Sequence, residues 1–355
     1  MRSGIAMIKK QPNGRFRVHI YHSGKQITSK VFELKRDAEA WESEQKYKLR
    51  TGHWTDPRSG KVQLKVVLAD YLADHKGAIN PKTWDTMESN LRLHVPDRVA
   101  RLPIGAITVG LLESVYVSAL KRPLARSTVK RVRSDLSVVF SWAVRRGIID
   151  QNVVTGSHVP AGDTQTEDVI FPFSTAQLEA TLLAQSSLNS QYAAMTEFAA
   201  LTGLRWGELV ALRVADFVLQ PLPSIIVSRS GSDGYMIKRT KSNNTRRIPL
   251  VRRAEEILQV RLPGTMRDDL IFTSPSGKRL NGGNFKRAIK WEVTAPAHRF
   301  HDLRHTAATR WLQSGIEPRT VAQWLGHSTP TMTLNVYAHY LGVASDLTAL
   351  ELLER

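Results

Sequence analysis

The sequence predicts an α+β multidomain chain: a small N-terminal sheet-plus-helix module, a helical middle domain, and a mainly helical third domain carrying a small antiparallel sheet. Three observations predict it. Residues 15–34 alternate apolar and polar at the two-residue period of strands, and residues 62–154 place apolar side chains at the three- and four-residue steps of helices. An aperiodic stretch, VPAGDTQTEDVIFPF, then precedes a segment in which helical patterns and short β-branched runs are interleaved. At 355 residues, 42% of them hydrophobic, the chain has length and apolar content for more than one core. The predicted boundaries are 1–60, 62–155, a linker at 156–173, and 174–355.

In GRFRVHIYHSGKQITSKVFEL, Phe16, Val18 and Ile20 fall on one face of a strand and Arg15, Arg17 and His19 on the other, with a turn at Ser23-Gly24. A helix follows from about Asp37 to Leu49, ending at Gly52. In the middle segment one helix starts with Val66, Leu68, Tyr71 and Leu72, and TWDTMESNLRLHV supplies a second. STVKRVRSDLSVVFSWAVRRG supplies a long third, capped by Ser127 and closed by Gly147. Its apolar stripe is Val129, Val132, Leu136, Val139, Phe140 and Ala143, beside a basic stripe of Arg126, Lys130 and Arg133. Beyond the linker, Ser174 caps a helix with Gln177 placed to close a capping box.

Fifty Lys and Arg against 32 Asp and Glu leave a formal charge of +18. Residues 1–60 carry 13 basic and 6 acidic side chains, and residues 61–160 carry 15 and 8, so the excess is densest in the first two segments. A surplus spread through folded sequence points to a polyanionic partner, and phosphate contact is the expectation for Arg15, Arg17, Arg126, Lys130 and Arg133. With no cysteine there is no disulfide framework, thiolate metal site or Cys nucleophile. The N-terminus lacks the apolar core of a signal peptide and no window approaches 18 uninterrupted apolar residues, so the expectation is a cytoplasmic protein with no membrane partner.

The third segment concentrates the chemistry. LTGLRWGELVALRVADF reads as a turn at Gly203 leading into a helix, with Arg205 at the turn and Glu208 positioned to pair with it. Three short strands follow, SIIVSRS, YMIKRT and RRIPL, with Lys241 in the turn sequence between the last two. HDLRHTAATRW reads as a helix whose first turn is crowded by His301, Arg304 and His305, at the end where the helix dipole is already positive. That arrangement is unfavourable unless an anion sits there. Pro318 starts another helix, Gly326 ends it, His327 lies just past it, and a short helix capped by Thr329 carries Tyr337 and Tyr340. Taken singly, each of these residues has an ordinary explanation in packing or solvation.

Their order and spacing together do not. Arg205 with Gly203 and Glu208, Lys241 before RIPL, His301-x-x-Arg304, Leu325-Gly326-His327 and Tyr337 ten positions on closely resemble the tyrosine recombinases, the phage-integrase family, over about residues 62–350. The front of the chain resembles, more weakly, the arm-type DNA-binding domain of larger phage integrases. The resemblance implies a helical SAM-like core-DNA-binding domain, a catalytic domain, and site-specific recombination of double-stranded DNA att sites by a homotetramer. It implies attack by Tyr337 on a phosphodiester to give a 3′-phosphotyrosine, with no cofactor and no metal. Arg205 and Arg304 would clamp the phosphate, Lys241 would protonate the leaving oxygen, and His301 would take the tyrosine proton or hold the phosphate. His327 would donate a hydrogen bond, and Glu208 would orient Arg205. A DNA-bending host factor and an excisionase are the accessory partners implied, with a bacterial nucleoid as the setting. In the tail, Leu347, Leu350 and Leu353 share a helical face, and such tails in this family commonly dock on a neighbouring protomer. The rival expectations are a DNA-binding regulator that kept the fold without cleavage, and a type IB topoisomerase.

Overall fold

The alternating N-terminal segment builds an antiparallel three-stranded sheet, β1 (Ile5–Lys10), β2 (Phe16–His22) and β3 (Lys25–Phe32), in the order β1-β2-β3. In this computed structural model the described residues are 5–22, 24–51, 59–122, 124–161, 171–239, 245–262, 264–327 and 329–337. Lys241, Tyr340, half of the linker and the C-terminal leucines lie outside them. Val18 and Ile20 are fully buried beneath α1 (Lys35–Arg50), and Arg17 on the alternate face is exposed. Arg15 is exposed and meets Glu33 at 3.5 Å. Gly24 turns the chain at φ +78°, a conformation that penalises any Cβ.

A second core lies in the helices that follow: α2 (Leu64–His75), α3 (Pro81–His94), the single turn α4 (Asp97–Ala100), α5 (Val109–Leu120) and α6 (Arg126–Arg145). On α2 the buried residues are Leu64, Val67, Leu68 and Tyr71, and Val66 faces solvent. The long helix buries the stripe read from its sequence but starts at Arg126, with Ala125 at its N-cap, so Ser127 lies inside the first turn rather than capping it. Two members of its basic stripe are committed to their own chain. Arg126 donates to the carbonyls of Pro160 (2.8 Å) and Val159 (3.4 Å), and Arg133 to those of Ser157 (2.8 Å) and Thr155 (3.1 Å). Lys130 is exposed. The sheet module and these helices keep separate apolar clusters, although both fall in one compact unit, residues 1–166.

Residues 167–355 form the other unit. The box at Ser174 closes as its sequence predicts and opens α7 (Thr175–Leu188), followed by α8 (Ser190–Thr202), which ends at Gly203 with φ +64°. The turn at Gly203 forms, but the helix expected to follow it is broken: α9 (Trp206–Leu209) and a separate 3-10 turn at Val214–Asp216 precede β4 (Phe217–Val218). The reason is polar. Buried Asp216 draws the backbone N–H of Arg213 at 2.8 Å and the Arg229 guanidinium at 2.9 Å, which a continuous helix would not allow.

Strands β5 (Ser224–Val227), β6 (Arg229–Ser230), β7 (Lys238–Arg239) and β8 (Arg246–Pro249) make one irregular hairpin. β5 pairs with β8 and with β4, and β6 pairs with β7, so the reversal lies at Ser232–Gly234. Lys241, which the sequence places on a turn between the second and third strands, lies outside the described residues. Helices α10 (Arg252–Gln259), α11 (Gly282–Ala288) and α12 (Trp291–Thr294) complete the main core with Phe285, Trp291 and Phe300. Then come α13 (Asp302–Gln313), α14 (Pro318–Leu325) and α15 (Pro330–Tyr337). Among the described residues no helix is long and apolar enough to cross a membrane.

Candidate phosphate-binding active site

One carboxylate anchors the site. Glu208 is 3% exposed, and its two oxygens accept four N–H groups. These are the Arg205 backbone (2.9 Å), the Arg205 side chain (3.1 Å) and both terminal nitrogens of Arg246 (2.9 and 2.7 Å). The Arg246 hydrogen bonds and charge, with that of Arg205, outweigh the burial that opposes ionisation and hold the Glu208 carboxyl below its usual range. Glu208 does pair with Arg205, as expected, but its bidentate partner is Arg246, which sequence reasoning missed. A signal was present: on β8, Arg246 shares the inward face with Ile248, and an arginine at a core-facing strand position demands a buried anion.

Gly326 makes room for this arginine. It ends α14 at φ +67°, and a Cβ there would come within 3.0 Å of the Arg246 side chain. The Arg246 Nε donates to the Trp324 carbonyl at 2.7 Å. Arg304, 2% exposed, reaches the end of the same helix, donating to Leu325 O at 2.5 Å and to Gly203 O, at the end of α8, at 2.8 Å. Both carbonyls sit at helix C-termini, where the backbone carries partial negative charge. Thus Arg304 starts on a positive helix end but delivers its guanidinium to two negative ones. Burial and the neighbouring Arg205 and Arg246 still push it down to about 9, so it stays charged at neutral pH under repulsion.

The imidazoles surround this cluster. His301 precedes α13 as its N-cap and stands edge-on to His305, ring centroids 4.9 Å apart. Protein packed round the His301 ring, with Arg304 and Arg205, lowers its pKa, although the residue remains open to solvent on one side. His327 meets the Thr333 hydroxyl at 2.8 Å, and burial followed by Arg304 and Arg205 lowers it to about 4. His305 is lowered to about 4 by burial, His301 and Arg304, and its Nδ1 meets the Tyr337 hydroxyl at 2.6 Å. Tyr337 is 1% exposed, its ring packed in an apolar cluster with Ala308 and Leu312 of α13 and Val321 and Leu325 of α14.

The structure therefore brings Arg205, Glu208, His301, Arg304, His327 and Tyr337 within electrostatic reach of one another, and adds Arg246, His305 and Thr333 through hydrogen bonds to Glu208, Tyr337 and His327. Two guanidiniums, those of Arg205 and Arg246, share one carboxylate, and a third, that of Arg304, feels its charge, beside imidazoles held neutral. Such a surplus of positive charge, partly desolvated, is an anion site, and the 42% exposed side chain of Arg205 is its open edge.

A pH prediction follows from His305 and His327. The unfolded chain protonates such imidazoles near 6.5 and the folded chain only near 4, so between those values the unfolded state binds more protons. Stability of the unit spanning 167–355 is expected to be intact above pH 6.5 and to fall as pH drops toward 4. In thermal melts across this range, His327→Asn should flatten the decline; an unaltered slope would show that His327 is not held neutral by the fold.

The model of the Phage integrase family matches residues 173–342, and that of the Phage integrase central domain matches residues 64–157. A tyrosine recombinase XerC-like protein of Caldanaerobacter subterraneus subsp. tengcongensis is 24% identical, over 90% of each chain. The ICEBs1 integrase of Bacillus subtilis is 24% identical over 94% of this chain and 95% of its own. Among solved structures, the Tn1549 transposon integrase in complex with transposon right end DNA aligns with a TM-score of 0.69 at 23% identity, covering 83% of this chain and all of that one. A lambda integrase tetramer bound to a Holliday junction aligns at 0.58 and 20% identity, covering 91% and 96%.

Proposed function

Since the chain belongs to the phage integrase family of tyrosine recombinases, DNA strand transferases by class, we propose that it integrates or excises a mobile element between att sites through a 3′-phosphotyrosine on Tyr337. The observation that carries this reading is the pairing of Arg205 and Arg246 with one buried carboxylate, the buried guanidinium of Arg304 that feels its charge, and a phenol hydroxyl on the imidazole of His305. A phosphodiester supplies the missing anion. As phosphorus becomes five-coordinate, negative charge grows on its non-bridging oxygens, and Arg205 and Arg304 stabilise it with N–H donors already oriented. Glu208 holds the Arg205 donors, and the carbonyls of Gly203 and Leu325 hold those of Arg304. Lys241 protonates the departing 5′-oxygen, and His301 and His327 donate to the phosphate. The phosphotyrosine conserves the bond's energy, so a 5′-hydroxyl of a partner strand reverses the step.

In this reading residues 1–60 bind arm-type sites, residues 62–155 and 174–355 grip the core duplex from the two sides of the linker, and four copies assemble on two sites. The solved lambda integrase tetramer supports the assembly state. An excisionase and a DNA-bending host protein bias the direction.

Plasmids carrying the attachment sequences at the ends of the mobile element test this. The full chain should give recombinant product only when both sites are present. A protein lacking residues 1–60 should lose recombination and keep cleavage of the core duplex. Relaxation of plasmid without att sites would instead mark a type IB topoisomerase, and binding without any covalent product a regulator.

A further inference from the structure

We propose that His305, rather than His301, is the group that accepts the proton of the Tyr337 hydroxyl during strand cleavage. The inference rests on the reading of Tyr337 as nucleophile and goes beyond it, because no residue was assigned to this proton by the sequence pattern except His301.

Geometry separates the two imidazoles. Nδ1 of His305 lies 2.6 Å from the Tyr337 oxygen, the separation of a strong hydrogen bond and within the reach a general base requires. His301 lies one helical turn earlier, its ring against that of His305 and its residue exposed, in a better place to meet a phosphate arriving from solvent. His305 is thus in direct contact with the reacting oxygen.

Its surroundings keep a lone pair available. Burial, His301, Arg304 and Arg299 all disfavour the imidazolium, so the ring is neutral before DNA arrives. In the tautomer with its proton on Nε2, Nδ1 accepts from the phenol. When a phosphodiester binds between Arg205 and Arg304, its negative charge offsets the field that kept the imidazole neutral, and His305 gains basicity at the step that needs it. The phenol oxygen attacks through a lone pair, not through its proton, so it can be approached from the Arg304 side while the bond to His305 persists.

The step balances. The phenol O–H bond breaks and its proton passes to Nδ1; the oxygen's electron pair forms the bond to phosphorus. The bond from phosphorus to the 5′-oxygen breaks, and that oxygen takes a proton from Lys241. In the reverse step the phenolate leaves and recovers its proton from His305.

The test measures single-turnover formation of the covalent adduct on a nicked duplex carrying the attachment core, with the bridging 5′-oxygen either retained or replaced by sulfur. A thiolate leaves without being protonated, so sulfur should remove the deficit of Lys241→Ala. His305→Asn keeps a hydrogen-bonding group at the Nδ1 position but cannot accept the proton. It should slow adduct formation on the order of 10²-fold with either substrate. A rate within threefold of wild type, or a deficit removed by sulfur, would overturn the proposal. Should His305→Asn not fold, as judged by its melt and core-duplex band shift, the nitrogen NMR signal of His305 Nδ1 decides. It should move in Tyr337→Phe; an unmoved signal would overturn the proposal. Adduct formation by Tyr337→Phe would instead overturn the identity of the nucleophile.

Discussion

Tyr337→Phe is expected to bind core DNA with wild-type affinity and to form no covalent complex with it. The substitution keeps the ring that packs in the cluster of Ala308, Leu312, Val321 and Leu325 and removes only the hydroxyl facing His305. Its structural cost is one hydrogen bond, about 1 kcal/mol, too little to unfold the domain. Its chemical cost is complete, because no other atom of the side chain can attack phosphorus. Tyr340 is the control. It stands three residues on, outside the described residues, and the spacing from His327 favours Tyr337. With a nicked suicide duplex, wild type and Tyr340→Phe should each leave a DNA-linked band on a denaturing gel. A band from Tyr337→Phe would transfer the nucleophile elsewhere.

The second large effect is expected at Glu208, and it should strike the fold rather than the chemistry alone. Glu208→Gln retains shape but leaves Arg246, itself 7% exposed in its side chain, without a counter-charge beside Arg205 and Arg304. Removing one partner of a buried pair costs about 3–5 kcal/mol because the survivor stays desolvated, which is a large share of the roughly 5–15 kcal/mol that stabilises a domain. Chemical denaturation should show the loss in the transition of the unit spanning 167–355. Arg205→Ala offers the contrast. Its side chain is 42% exposed, so the fold should survive while adduct formation drops on the order of 10³-fold, the scale of losing a charge clamp in phosphoryl transfer. If Glu208→Gln melted like wild type, the carboxylate would not be what holds Arg205 and Arg246 together.

The sequence by itself determined the features that depend on neighbours along the chain. The capping box at Ser174, the left-handed helix ends at Gly203 and Gly326, and the apolar stripe of the long helix α6 are all present where their local patterns predict. Each is settled within about a turn of backbone by hydrogen bonding or by a φ that only glycine tolerates easily. Order and spacing also carried the family resemblance, with the fold class that it implies. Tertiary structure alone decided where the charges go. Arg246 and Glu208 are 38 residues apart, and nothing local distinguishes this arginine's bond to a buried carboxylate from a solvated strand position. Arg126 and Arg133, read from helical spacing as a free basic stripe, are drawn to carbonyls that follow 22 to 34 residues later. His305 looks like one more cation at a helix start until α15 brings a phenol to its ring from 32 residues away. Long side chains with several donors satisfy whichever acceptors the fold brings within reach, and that depends on packing between distant segments, for which a one-dimensional pattern holds no record.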